Sequence, residues 1–187
     1  MRKLILLFFL SVSIMAFGQS KKDQNVTFYG VDYSVAKVYG GDNAPYEYQS
    51  AFYGINRLFI TEPKKYNVEK FLGVNISAVD LEPAEKQINN MELSTLLMDG
   101  YGGYELSNQQ VEQAIKALPI TSKEGTGLVV VAEVLNKASK RGSYKIVFFD
   151  IPTRKILEIR EGKGTAKGFG LRNYWAHSVR QAIKVAR

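Results

Sequence analysis

Apolar and polar positions recur along this chain in patterns that predict most of its elements before composition is considered. Residues 26–38 alternate as an extended strand, with Phe28, Gly30, Asp32, Ser34, Ala36 and Val38 on one face and Tyr29, Val31, Tyr33, Val35 and Lys37 on the other. Both faces are largely apolar, as in a strand inside a covered sheet. Gly40–Pro45 is a loop by composition. Phe52, Ile55 and Phe59 then recur at i, i+3 and i+7, which predicts a helix over about Ser50–Ile60, stopped before Pro63. Leu72–Leu81 reads as a second strand. Between Glu82 and Glu105, Ile88, Met91 and the cluster Leu93–Met98 fit a short helix or extended chain equally well, and Asp99–Tyr104 is a loop.

The second half is more sharply patterned. Ser107 and Gln110 form a capping box, in which each side chain satisfies a free backbone N–H of the other. Val111, Ala114, Ile115 and Leu118 make the apolar stripe of the helix they start, and Pro119 ends it. Leu128–Leu135, Tyr144–Asp150 and Lys155–Glu161 read as strands, joined by the basic loop Asn136–Gly142 and by a turn at Asp150–Arg154. A Gly-rich lead-in, Gly162–Gly170, precedes a closing helix that sets Leu171, Tyr174, Trp175, Ser178, Val179, Ala182, Ile183 and Ala186 on one face. The sum is an α+β fold: one domain, a mixed sheet with a C-terminal three-strand antiparallel meander, and helices packed on the sheet.

In this element order, the hairpin Phe148-Phe149-Asp150-Ile151-Pro152-Thr153-Arg154-Lys155-Ile156-Leu157 resembles the small α/β domain of the TolB amino-terminal region. It is also similar to the domain of curli-type (CsgG-like) secretion channels and related envelope lipoproteins. The likeness runs from about Val26 to Ala186 and rests on element order and a D-x-x-T-x-x-x-L turn. The chain has neither the propeller repeats nor the lipidation cysteine of those proteins. The resemblance implies an envelope-associated, non-enzymatic interaction domain and brings no catalytic residues with it.

The first apolar segment is of another kind. Leu4–Leu10 is wholly apolar behind Arg2 and Lys3, and Ala16-Phe17-Gly18 puts small residues at the −3 and −1 positions that signal peptidase reads. We expect a signal peptide over residues 1–18, cleavage before Gln19, a single mature domain over 19–187, and a periplasmic or secreted location. A membrane anchor would need about 20 apolar residues, and this run is shorter and interrupted by Ser11 and Ser13. No later segment is apolar enough to span a bilayer. The chain has no cysteine, so its stability must come from packing, and thiolate metal sites are excluded. At this size it buries roughly 70% of its unfolded surface.

Charge changes the picture more than composition does. From Lys137 to Arg187 there are 13 Lys/Arg against 3 Asp/Glu, a net of +10, whereas Gln19–Asn136 carries 10 against 15. The molecule is dipolar, and Lys137, Lys140, Arg141, Lys163, Lys167, Arg172, Arg180, Lys184 and Arg187 form a candidate surface for anions or a partner. Export argues against nucleic acid and leaves another envelope protein or an anionic envelope surface. The lead-in glycines match neither phosphate-loop spacing, although the start of the closing helix at Leu171-Arg172-Asn173 could capture an anion.

Catalytic readings are weaker. The one histidine, His177, adjoins Ser178, but neighbouring helical residues point about 100° apart, which denies a Ser-His pair. One His and no Cys leave no ordinary zinc site, and no cofactor is expected. The alternative function is a secreted hydrolase whose carboxylates, among Asp32, Asp80, Glu133 and Asp150, are brought together only by the fold. Asp32 falls within an apolar run and needs a partner, for which Ser34 on the same face is the candidate.

Overall fold

The structure, a computed structural model, describes residues 25–186. The expected signal peptide and its cleavage point before Gln19 lie outside the described residues, as does Arg187.

Among the described residues seven strands form one sheet: β1 (Asn25–Asp32), β2 (Lys37–Tyr39), β3 (Asn75–Val79), β4 (Leu97–Met98), β5 (Thr126–Asn136), β6 (Arg141–Asp150) and β7 (Ile156–Thr165). The helices are α1 (Pro45–Thr61), α2 (Val68–Leu72), α3 (Glu82–Asn89), α4 (Asn108–Ala117) and α5 (Leu171–Val185). β5 is the pivot. One of its edges carries β1 and then β2, both parallel to it, and β3 and β4 pair in parallel outside these. Its other edge carries β6, which pairs antiparallel with β5 and with β7.

This corrects the expected α+β class. Parallel pairing dominates, because helices intervene between the strands of the first two-thirds and act as crossovers, and the fold is α/β-like with helices around one sheet. The C-terminal strands are not a separate three-strand meander. β5 belongs to the parallel part, and β6 and β7 are neighbours that extend it.

The single strand expected over 26–38 is also broken. Asp32 Oδ1 accepts the Ser34 N–H at 2.8 Å and Tyr33 O accepts the Ala36 N–H at 3.0 Å, so the backbone turns between β1 and β2. On the outer edge of β1, Asn56 of α1 bonds both backbone groups of Val31, accepting from its N–H at 2.7 Å and donating to its carbonyl at 2.9 Å. The strand expected at Leu72–Leu81 shrinks to β3, because Asn67 caps a short helix that takes Leu72 and Gly73 ends that helix at φ 68°. The stretch left open, 82–105, holds α3, a 3₁₀ turn at Leu93–Thr95 and β4. The capping box of Ser107 and Gln110 is present, and α4 starts on it.

The two faces of the sheet are covered unequally. α1 and α5 close one face over the larger core, where Tyr33 stacks on Phe52 at 3.9 Å between centroids and Trp175 is fully buried. α4 closes the other over a smaller core of Tyr29, Val129, Val131, Val147 and Phe149. The seat of α5 explains two glycines read in the sequence as loop. Gly162 and Gly164 lie in β7, and a Cβ on Gly164 would stand 1.9 Å from the Ser178 carbonyl oxygen, one on Gly162 2.6 Å from that of Ala182. Only a strand without side chains there lets the helix backbone rest on it.

Candidate functional site

The loop between β5 and β6 is tied down at several points. Lys137 N–H donates to Tyr39 O at 2.9 Å, Asn136 Oδ1 accepts from Ser139 N–H at 2.9 Å, and Lys140 O accepts from Ala166 N–H at 2.8 Å. The last bond joins this loop to the connector that leads from β7 into α5. The helix starts at Gly170 with no side-chain cap, so its first amides face outward with the positive end of the helix dipole. Loop, connector and helix start enclose a cleft of ≈ 660 Å³ lined by Lys137, Lys140, Phe169, Leu171, Tyr174 and Trp175, with Asp42 and Asn43 at its side. That volume lies within the range of small-ligand sites.

Its charges are partly engaged. Asp42 accepts a hydrogen bond from Lys137, and this bond, with the backbone and the lysine charge, holds the Asp42 carboxyl below the usual range. Among the described residues near the cleft, two buried donors have no hydrogen-bond partner: the indole Nε1 of Trp175, whose side chain is fully buried, and the Tyr48 hydroxyl, which abuts Gly41 beside Asp42. Burial, then the charges of Asp42 and Glu47, push the Tyr48 phenol up to about 12. Buried donors of this kind are costly when left unpaired.

The structure gathers some of the sequence-predicted cations and separates the rest. Lys137 and Lys140 line the cleft, Lys167 lies on the connector, and Arg172 in the first turn of α5 rests its stem against Gly54 of α1. Arg141 and Lys163 alternate with Gly142 and Gly164, which face α5, and therefore project from the opposite face of the sheet. Arg180 is half-buried with its Nε unpartnered, and Lys184 is exposed in the last turn, about 20 Å from the cleft at 1.5 Å per residue.

The catalytic candidates are each bonded to other groups. Ser178 Oγ donates to Gly164 O at 2.8 Å and accepts from Tyr144 Oη at 3.1 Å, while His177 Nδ1 lies 2.8 Å from Thr165 O. Each candidate carboxylate accepts from a nearby backbone amide: Asp32 from Ser34, Asp80 from Glu82, Glu133 from Leu106 and Asp150 from Thr153. None of the four lines the cleft beside α5. Asp32 is fully buried with Oδ2 unpartnered, and burial raises its pKa, partly offset by the bonds from Ser34. Ser34 thus partners Asp32 through its backbone amide as well as its side chain.

Sequence reasoning missed Phe169, Asp42 and Tyr174 as parts of the cleft. The available signal was a Phe between two glycines inside a cationic segment, Lys167-Gly168-Phe169-Gly170-Leu171-Arg172. It also missed the ion group on the α4 face, where Lys145, nearly buried, reaches Glu161 at 2.6 Å and Glu133 at 3.7 Å. Among the described residues no group of His, Cys, Asp and Glu could hold a metal ion, and no helix is long and apolar enough to cross a membrane.

No known protein family and no curated protein matches the chain. Among solved structures it is similar to the LpoB C-terminal domain from Salmonella enterica, at 11% identity and a TM-score of 0.34, over 79% of this chain and 87% of that one. That likeness is too distant to carry an argument, and the matched structure is neither a TolB domain nor a curli-type channel.

Proposed function

We propose that this chain is exported and works in the cell envelope as a non-enzymatic binding domain, taking an anionic partner at the cleft beside α5. The observation that carries this reading is the convergence of Lys137, Lys140 and the uncapped start of α5 on one cleft. Cations and helix-terminal amides favour negative charge. Export rests on the leader pattern of Arg2, Lys3 and Leu4–Leu10, and intact mass of the purified protein tests it by the loss of Met1–Gly18.

Binding is tested by titrating lipopolysaccharide and soluble polyphosphate at low and high salt. The wild type is compared with a Lys140→Glu/Lys167→Glu variant and with Lys184→Glu, whose charge lies at the far end of α5. Binding should weaken as the Debye length falls from about 30 Å at 0.01 M to about 8 Å at 0.15 M. It should fall with the double reversal and hold with Lys184→Glu. Absence of binding at low salt, or equal binding by all three proteins, overturns the reading.

A further inference from the structure

We propose that the connector Lys167–Arg172 is a membrane-docking finger: Phe169 enters the headgroup layer of an anionic bilayer while Lys140, Lys167 and Arg172 meet lipid phosphates. This rests on the anion-binding reading above and narrows its partner to a lipid surface.

Phe169 is 95% exposed, more than any other large apolar side chain among the described residues. Gly168 and Gly170 on either side both take positive φ, 128° and 78°, and the backbone between them presents the ring to solvent. A single exposed aromatic is ordinary on a protein surface. This one stands in a cationic stretch of the chain and shares its cleft with two lysines. Lys137 and Lys140 share its cleft, and Lys167 and Arg172 stand two and three residues away. The nearby acids are engaged, Asp42 by Lys137 and Glu47 by the Ala44 amide at 2.8 Å. Tyr46, 66% exposed, adjoins Leu171 and Arg172 in a second cleft along the α1–α5 seam, so a second aromatic flanks the same end of the molecule.

The occupant follows from this geometry. A stable protein interface buries about 800 Å² on each side, and one ring standing clear of the surface among lysines offers no such contiguous apolar patch. A bilayer interface asks for no matched groove. It accepts an apolar side chain ~5–10 Å deep, and long Lys and Arg stems lie along it with their charges on the phosphates. The charge complementarity is local to this end, since Arg141 and Lys163 project from the other face of the sheet.

The test uses sedimentation with large unilamellar vesicles, of phosphatidylglycerol mixed with phosphatidylcholine or of phosphatidylcholine alone. The N-terminus of the protein is first fixed by intact mass, so that an uncleaved apolar leader is not what binds. We expect the wild type to bind the anionic vesicles at low salt and not the neutral ones. Phe169→Ser, which removes an exposed side chain and should fold normally by circular dichroism, should bind about tenfold more weakly. In Phe169→Trp, read against the buried Trp175, the new emission should shift to the blue on anionic vesicles and be quenched by brominated acyl chains. If Phe169→Ser binds vesicles as the wild type does, or the new tryptophan does not respond while vesicles are bound, the finger is overturned and the electrostatic reading stands. Polyphosphate binding that depends on Lys140 and Lys167, without any vesicle binding, also overturns the finger alone. Binding to none of these anions overturns both.

Discussion

The two faces of the sheet are closed by different means. Beneath α5 the contact is backbone against backbone: Gly162 and Gly164 offer no side chains, Ser178 bonds the Gly164 carbonyl, and Trp175 and Val179 fill the remaining space. On the α4 face a short helix covers a smaller core, and charge stays inside it, with Glu133 and Lys145 both nearly buried and Glu161 at the rim. The first face depends on shape and the second on pairing. A change of a single methyl group should therefore be ruinous on one face, while on the other the sign of a charge should matter most.

The largest effect is expected at Gly164. A Cβ there meets the Ser178 carbonyl carbon and oxygen at 2.7 and 1.9 Å, and α5 cannot yield without leaving the sheet. Gly164→Ala should cost on the order of 5 kcal/mol or more, at the far end of single-substitution effects. The control is Gly73→Ala, where nothing lies within 4 Å and only a φ of 68° is strained, at about 1 kcal/mol. Equal denaturation midpoints for the two variants would end the distinction between the faces. Next comes Trp175→Ala, which empties the centre of the α5 seat and should cost roughly 3–5 kcal/mol in urea unfolding.

The α4 face should respond less. Lys145→Met leaves Glu133 without its cation but still bonded to the Leu106 amide, so we expect about 2 kcal/mol, below the ~3–5 of a stranded buried charge. Burial alone would pull the Lys145 pKa down, but the Glu161 hydrogen bond and the charges of Glu133 and Glu161 raise it, while the Lys145 bond and charge hold Glu161 low. The Glu161 contribution is therefore present above its unfolded pKa and lost as pH falls through the lowered folded value. The Lys145 contribution is present below its unfolded pKa and lost as pH rises through the raised one. Thermal scans across pH should show the wild-type advantage over Lys145→Met largest between these limits.

The smallest effect has the opposite sign. Burial raises the Asp32 pKa, so its ionisation above the ordinary aspartate range weakens the fold, and the full stability belongs to pH below that range. Asp32→Asn keeps an oxygen for the Ser34 amide. It should raise Tm at pH 7 by about 2–4 °C, the equivalent of ~1 kcal/mol in a chain of this size. The gain should vanish in acid; a lower Tm at pH 7 would mean that the unpartnered Oδ2 is better served than its surroundings show.

What the sequence disclosed follows the range of the interactions involved. The start of α4 was legible because its cap is written in Ser107 and Gln110, three residues apart, and the buried face of α5 because its period is local. The break after Asp32 was hidden, since buried Tyr33 and Ala36 carry the apolar pattern through the turn. Nothing local distinguishes a glycine that turns the chain from one that admits a helix, so Gly162 and Gly164 read as loop. The parallel class was misread because strand direction depends on which partners β5 finds, and the start of β1 lies far from it in the chain. The candidate site was legible as charge in Lys137, Lys140, Lys167 and Arg172. Its separation from Arg141 and Lys163 depends on strand register, and Phe169 stood out only once its exposure was known.

The position of β5 also sets an order of assembly. β5, β6, β7 and α5 follow one another directly, and their contacts close short loops, whereas Val26 of β1 meets Thr126 only after most of the chain lies between them. Short closures cost less entropy and form sooner. Pulse-labelled hydrogen exchange should therefore protect β6 amides before those of β1, and the reverse order would refute this. A chain delivered amino-terminus first then carries the β1–β3 and β2–β4 pairs without the strand that joins them until the last third emerges, so the earliest strands to appear are among the last to be united in one sheet.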